Sequence, residues 1–311
     1  MTSVRRGDVV RVRSREEILA TLDAEGNVDS LPFMPEMLQF CGSSLPVFSV
    51  AHKTCDTVEH PGNCRSLQHT VHLVGTRCDG SAHGGCQAGC MLFWREEWLS
   101  TPSGAPLRDV AGTGATEEAL QASTMDGSLY KCQATAMKVA AAPLPTRQLG
   151  QYWKDLRSGN VGFFTWLRGL GITTFNLYQW QAPRRLRPFG GRSWPLFKGR
   201  GTGKRIPSGN LQPGDLVEIR SKAEIEATLN AEGRNGGMLF DGEMLPFCGR
   251  RFRVERRVDH IIDEPSGKMI KLQDCWVLDN VVCQGIYHRF CPRGGLPYWR
   301  EAWLRKVDEP A

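Results

Sequence analysis

Gly7-Asp8-Val9-Val10-Arg11-Val12-Arg13-Ser14, near the start of the chain, returns in its second half as Gly214-Asp215-Leu216-Val217-Glu218-Ile219-Arg220-Ser221. The echo continues through Glu17-Ile18 and Glu224-Ile225, then Phe40-Cys41-Gly42 and Phe247-Cys248-Gly249. It closes on Trp94-Arg95-Glu96-Glu97-Trp98-Leu99 against Trp299-Arg300-Glu301-Ala302-Trp303-Leu304. An internal repeat acts as a comparison within one sequence: what both copies keep points to structure, and what one copy adds points to function.

Each copy opens with an alternating, β-branched strand. Ser14 and Ser221 follow with Glu17 and Glu224 three residues on, the capping-box spacing that starts a short helix, and Gly26 and Gly233 stand where that helix should stop. Val47–Val50 and Phe252–Glu255 read as second strands, Thr70–Val74 and Trp276–Leu278 as third strands. The tryptophan-flanked segments read as last strands, with Trp94 and Trp98 on one face. The opening Gly-Asp-hydrophobic-Val-basic element resembles the first strand of SH3-like barrels. That resemblance implies a small β-barrel and carries no activity. The expected fold is therefore mainly β: two homologous SH3-like barrels at 5–100 and 213–307, joined by a partly helical connector at 101–212.

A chain of 311 residues with 41% hydrophobic and 23% charged residues has the composition of a globular protein of about two domains. No apolar run approaches the ~20 residues of a membrane span, and the first residues lack the apolar stretch of a signal peptide. Both features point to the cytoplasm. In a reducing compartment 11 cysteines, an odd number, suggest metal ligation or redox work rather than disulfides.

Aligned on their tryptophans, the copies share Cys-x4-His-x2-Cys: Cys78, His83 and Cys86 against Cys283, His288 and Cys291. With Cys41 and Cys248 upstream, each copy holds a Cys3His set, a usual complement for structural zinc. The competing reading is that the cysteines are small core residues. The first copy adds Cys55, His72 and Cys90, so that Cys55, Cys78, Cys86 and Cys90 form a possible four-thiolate set for zinc or an iron–sulfur cluster. Cys90 and Cys55 are then candidates for catalytic thiols. Cys132 is either a ligand or nucleophile reaching across to that site or simply a buried residue, Cys64 and Cys275 carry no assignment, and His52, His60 and His69 read as surface residues.

The connector changes character along its length. Residues 101–129 are small and polar and read as a loose linker. From Leu156 to Gly214 there is no Asp or Glu but ten basic residues, more than the net charge of +6 for the whole chain, with aromatics interleaved. Arg184, Arg185, Arg187 and Arg192 are the candidate anion-binding residues, for nucleic acid or an acidic protein. Glycines weaken the reading of 162–178 as a helix, and a solvated linker packing against the barrels is the plain alternative.

These patterns point first to a cytoplasmic metal-binding protein, zinc or iron–sulfur, whose first repeat is the active or ligand-binding copy. A scaffold with structural zinc and a basic partner-binding connector, and a metal-free thiol redox protein, are the other two readings. No hydrolase elbow, dinucleotide fingerprint or His-Glu-x-x-His occurs, so the patterns suit an enzyme as well as a binding module.

Overall fold

The computed structural model describes residues 4–59, 63–206 and 209–308. Each repeat builds one open five-stranded antiparallel sheet. In the first the strand order is Trp94–Arg95, Thr70–Leu73, Ser44–Val50, Val9–Val12 and Leu99–Ser100, and in the second Trp299–Arg300, Cys275–Leu278, Arg251–Arg257, Leu216–Ile219 and Leu304–Lys306. The edge strands are not paired to each other, so the sheets do not close into the SH3-like barrels expected from the first strand. The protein is sheet-rich and two-module, and the barrel is where the resemblance ends.

Local sequence explains the first elements. Val10 and Val12 point inward from the first strand while Val9 and Arg11 face out. Ser14 and Ser221 each cap their helices, Arg15–Thr21 and Lys222–Thr228, through the full reciprocal box with Glu17 and Glu224. The tryptophan endings differ from expectation: each is two short strands around a single 3-10 turn, Glu96–Trp98 or Glu301–Trp303. That turn lets both indoles of a copy point inward. Trp94 and Trp98 flank Phe33 edge-on at 6.2 and 5.1 Å, and Trp299 and Trp303 flank Phe240 at 6.3 and 5.2 Å. The retained tryptophans are thus the centres of two separate hydrophobic cores.

By compactness the chain divides into two units, and the division cuts through the second repeat. The first comprises 1–166 together with 260–270 and 288–295; the second comprises 167–259, 271–287 and 296–311. The loop carrying His288 and Cys291 therefore folds with the first unit, while Cys283 belongs to the second.

The segment read as a loose linker is ordered against the first core. Leu120, on the short helix Glu117–Ala122, is fully buried, and the amides of Gly114 and Ala115 donate to the carbonyls of Leu22 and Leu19. Beyond it, the helix Gly150–Arg157 delivers Asp155 to a buried pair with Lys53, 2.6 Å apart and both inaccessible to solvent. Despite its glycines, Phe163–Gln181 is a continuous 19-residue helix. Among the described residues no helix is long and apolar enough to cross a membrane.

Candidate functional site

Both Cys-x4-His-x2-Cys loops hang from a buried carboxylate. Glu36, in the 3-10 turn Pro35–Phe40, accepts the amide of Ala82 at 3.1 Å and faces Nδ1 of His83 at 2.6 Å. Glu243, in the matching turn Gly242–Phe247, accepts the amide of Tyr287. Glu36-Met37 recurs as Glu243-Met244 in the second copy, and its carboxylate holds the loop at the same point in each. Gly80 must be glycine, since a Cβ there would lie 2.1 Å from the carbonyl of Cys86 and its φ is +74°.

The loop backbones match even where the residues do not. Gly84 and Gly85 take φ of +62° and +73°, and the second copy places Arg289 and Phe290 in the same left-handed region at +53° and +62°. Such angles strain a residue with a Cβ. Phe290 is held there by its surroundings: its ring meets Tyr152 edge-on at 6.3 Å and lies under the Lys53 ammonium at 5.7 Å.

The second cysteines of the two loops dock reciprocally inside the first unit. Cys86 Sγ accepts the amide of Ile262 at 3.3 Å, and Cys291 Sγ accepts the amide of Cys55 at 3.1 Å. Ile262 and Cys55 are the corresponding residues of the two copies, so each loop rests on the other copy's strand. Arg77 ties the loops together by donating to the carbonyls of Gly89 and Gly294 at 2.8 and 2.9 Å. Retention of this cysteine thus has a structural cause, a sulfur acceptor for a strand amide.

What the first copy adds is a thiol-lined pocket. Cys78, Cys86, Cys90 and Cys132 all border it, with His83, Met34, Ile262 and Arg293 among its other walls, and its open space is about 30 Å³. That holds roughly two water-sized guests, which suits an ion better than an organic substrate. Cys132 arrives from the N-cap of the helix Gln133–Ala140. Gln133 locks it in place, donating to the carbonyls of Pro32 and Phe93 and accepting the amide of Phe93. Arg293, paired with Glu264 at 2.5 Å, donates to Cys90 Sγ at 3.8 Å. Burial pushes the Cys90 thiol up to about 12 against the pull of Arg293, and burial likewise raises Cys78 and Cys132. These three remain protonated at neutral pH unless a cation enters.

Several expected ligands stand elsewhere. Cys41 and Cys248 end the two matching 3-10 turns, each donating its amide three residues back, to Leu38 or Leu245. The following Gly42 and Gly249 take φ of +79° and +73°. Phe-Cys-Gly is thus a turn signal, and its cysteine does not border the thiol pocket. Both ring nitrogens of His83 are already engaged: Nε2 faces the Lys131 carbonyl at 3.1 Å and Nδ1 faces Glu36 at 2.6 Å. Cys55 is placed against Cys291 and opposite Cys64 rather than with Cys78, Cys86 and Cys90. No three His, Cys, Asp or Glu side chains among the described residues stand close enough together to hold a metal ion.

A second thiol group surrounds Cys291. Burial pushes its thiol up, yet hydrogen bonds from the Cys55 side chain and amide, the Arg293 amide and the nearby guanidinium outweigh it and bring it down to about 6. Cys64, beside it, is raised to about 12 by burial and by repulsion from Cys291.

His72 is fully buried. Its Nδ1 donates to the Leu92 carbonyl at 2.9 Å, Nε2 has no hydrogen-bond partner among the described residues, and burial lowers its pKa to about 4. Two other histidines read as surface residues differ from each other: His69 is exposed beside Glu96, while His52 is nearly buried, 3.1 Å from Asp155. His60 lies outside the described residues.

In the connector, Arg184 and Arg185 are exposed. Arg187 folds back onto the carbonyls of Ala182 and Trp180, and Arg192 onto that of Phe189. Sequence reasoning passed over Gln133, Arg293 and the Lys53–Asp155 pair, whose partners lie far away in the chain and leave no local spacing to read.

Comparison with protein-family models, with curated proteins and with solved structures found no match.

Two outcomes follow from this geometry. Phe290→Ala keeps the left-handed strain and loses the ring, whereas Phe290→Gly loses both. In urea denaturation the alanine variant should be the less stable of the two by about 1 kcal/mol; equal stabilities would mean that the backbone is unstrained. His72 has a folded-state pKa below its unfolded value of 6.5, so the unfolded chain binds the extra proton between about pH 6.5 and 4. Its contribution is complete above 6.5 and is lost as pH falls through that window, by at most roughly 3 kcal/mol. His72→Phe should flatten that part of the stability profile, measured by urea denaturation at a series of pH values.

Proposed function

We propose that the protein is a metal-binding protein whose centre is the thiol pocket of the first repeat, with Cys78, Cys86, Cys90 and Cys132 taking up one zinc ion. The observation that supports this is the convergence of four thiols, from two distant segments, on one ion-sized pocket. Three of those thiols are too buried to ionise alone, and a cation supplies the missing charge. Four thiolates suit zinc, and the Arg293 guanidinium beside Cys90 offsets the excess negative charge.

Uptake requires the sulfurs to draw inward around the ion. The segment bearing three of them carries Gly80, Gly84, Gly85 and Gly89, which makes that adjustment cheap. In this reading Cys90 is a ligand rather than the nucleophile its position first suggested, because a thiol held near 12 is rarely a thiolate. A reducing, cytoplasmic setting belongs to the proposal, since oxidised thiols do not ligate.

Elemental analysis of protein purified without chelator should find close to one zinc per chain, lost in Cys90→Ser and in Cys132→Ser but retained in Cys41→Ser. Protein that carries no metal and takes up no added zinc would sink the reading. A brown protein with iron and inorganic sulfide would move it to an iron–sulfur cluster.

A second reading of the connector rests on the exposure of Arg184 and Arg185 beside Trp180, Leu186 and Phe189, of which Trp180 is 76% exposed. Cations interleaved with bare rings suit a single-stranded polyanion. Binding of a fluorescent oligonucleotide should weaken steeply with salt and be lost in the Arg184→Gln, Arg185→Gln double variant; binding that salt and the double variant leave unchanged would remove this reading.

A further inference from the structure

The thiols around Cys291 take no part in the zinc reading and have a geometry of their own. Cys291 Sγ sits in a nest of donors: the Cys55 amide at 3.1 Å, the Cys55 thiol and the Arg293 amide. Such a nest stabilises a thiolate as an oxyanion hole stabilises an alkoxide. The Cys55 amide bond and the hydrogen bond between the two side chains hold Cys55 against Cys291. Cys64 faces Cys55 directly across the strand pair Lys53–Cys55 and Cys64–Ser66, and leans toward the His288 carbonyl at 3.8 Å. Cys291 is 3% exposed, whereas Cys55 is half-buried.

The contrast between the two copies sharpens the point. At the reciprocal docking contact Cys86 meets Ile262, an inert residue, whereas Cys291 meets Cys55. The same backbone interaction has been kept twice and given a second sulfur once.

We propose that Cys291 and Cys55 form a reactive thiolate–thiol pair that reduces small hydroperoxides and closes to a Cys55–Cys291 disulfide. The Cys291 thiolate attacks the outer peroxide oxygen, the O–O bond breaks, and the leaving alkoxide or hydroxide takes a proton to become alcohol or water. Cys291 is then a sulfenic acid. The Cys55 sulfur, giving up its proton, attacks the Cys291 sulfur; the S–S bond forms, the S–O bond breaks, and hydroxide leaves as water with that proton. The two sulfurs lose two electrons and the peroxide gains them. Cys64, raised in pKa beside the pair, stays a bystander thiol.

The test is limited oxidation of the full-length protein by hydrogen peroxide, followed by alkylation of the remaining thiols and mapping of non-reduced peptides by mass spectrometry. The expected result is a peptide pair linked through Cys55 and Cys291, loss of two of the 11 titratable thiols, and reversal by dithiothreitol. Cys64→Ser should form the same link, and Cys291→Ser should lose it. A Cys55–Cys64 link, oxidation confined to Cys78, Cys86, Cys90 and Cys132, or no reaction at peroxide levels that oxidise a free thiol would each overturn the proposal. The wild-type map decides even if Cys291→Ser fails to fold, and zinc content measured on the same sample tests the pocket separately.

Discussion

The rest of the first unit is organised around two sulfur-to-amide hydrogen bonds, Cys86 to Ile262 and Cys291 to Cys55. Each joins a loop from one copy of the repeat to a strand from the other. They act together with Ser49, whose hydroxyl donates to the Pro292 carbonyl, and Arg77, which donates to that of Gly294, in keeping the loop 288–295 with the first unit. With them, Cys291, Phe290 and Arg293 are delivered to places where no local element of the first repeat could put them. Sulfur is a weak acceptor, so these bonds position more than they stabilise. The holding is done by burial, by the Glu36 and Glu243 anchors and by the Lys53–Asp155 pair beneath Phe290.

That construction separates two kinds of cysteine which look alike in sequence. Cys41 and Cys248 end turns, and Cys86 and Cys291 accept strand amides; duplication preserved both pairs for reasons of backbone. Cys55, Cys90 and Cys132 belong to the first copy or the connector and answer to no backbone need that the second copy shares. They fall into two groups, Cys90 and Cys132 lining a small pocket and Cys55 set against Cys291, and Arg293 reaches both. A single guanidinium from the second repeat therefore bears on the charge of every candidate thiol centre in the first.

The connector is less passive than its composition suggests. Its polar first half covers the first core through Leu120, and it supplies Cys132, Gln133 and Asp155 to the buried parts of the site. Its basic second half is the part that stays on the surface, and there half of the arginines singled out are turned back on their own backbone. A run of like charge marks a region and does not say which side chains in it are presented.

Much of this was legible in the chain. Periodicity and capping located the strands and both short helices, because Ser14 and Glu17, or Ser221 and Glu224, satisfy each other without help from elsewhere. The repeat located the two loops and told retained cysteines from added ones. Closure of the sheets was not legible, because it depends on edge strands meeting in space, and the first strand of an SH3-like module looks the same whether or not they do. The grouping of the cysteines in space was not legible for a related reason. Spacing along the chain grouped Cys41 and His83 with the loop, while in space Cys41 ends a turn, His83 faces the Glu36 carboxylate, and Cys132 lies with Cys78, Cys86 and Cys90 around one pocket. Sequence alone determined which residues repeat and which are new; only the tertiary structure decided which sulfurs meet, because the exchange of loops between repeats is set by three-dimensional contacts that no spacing in the chain records.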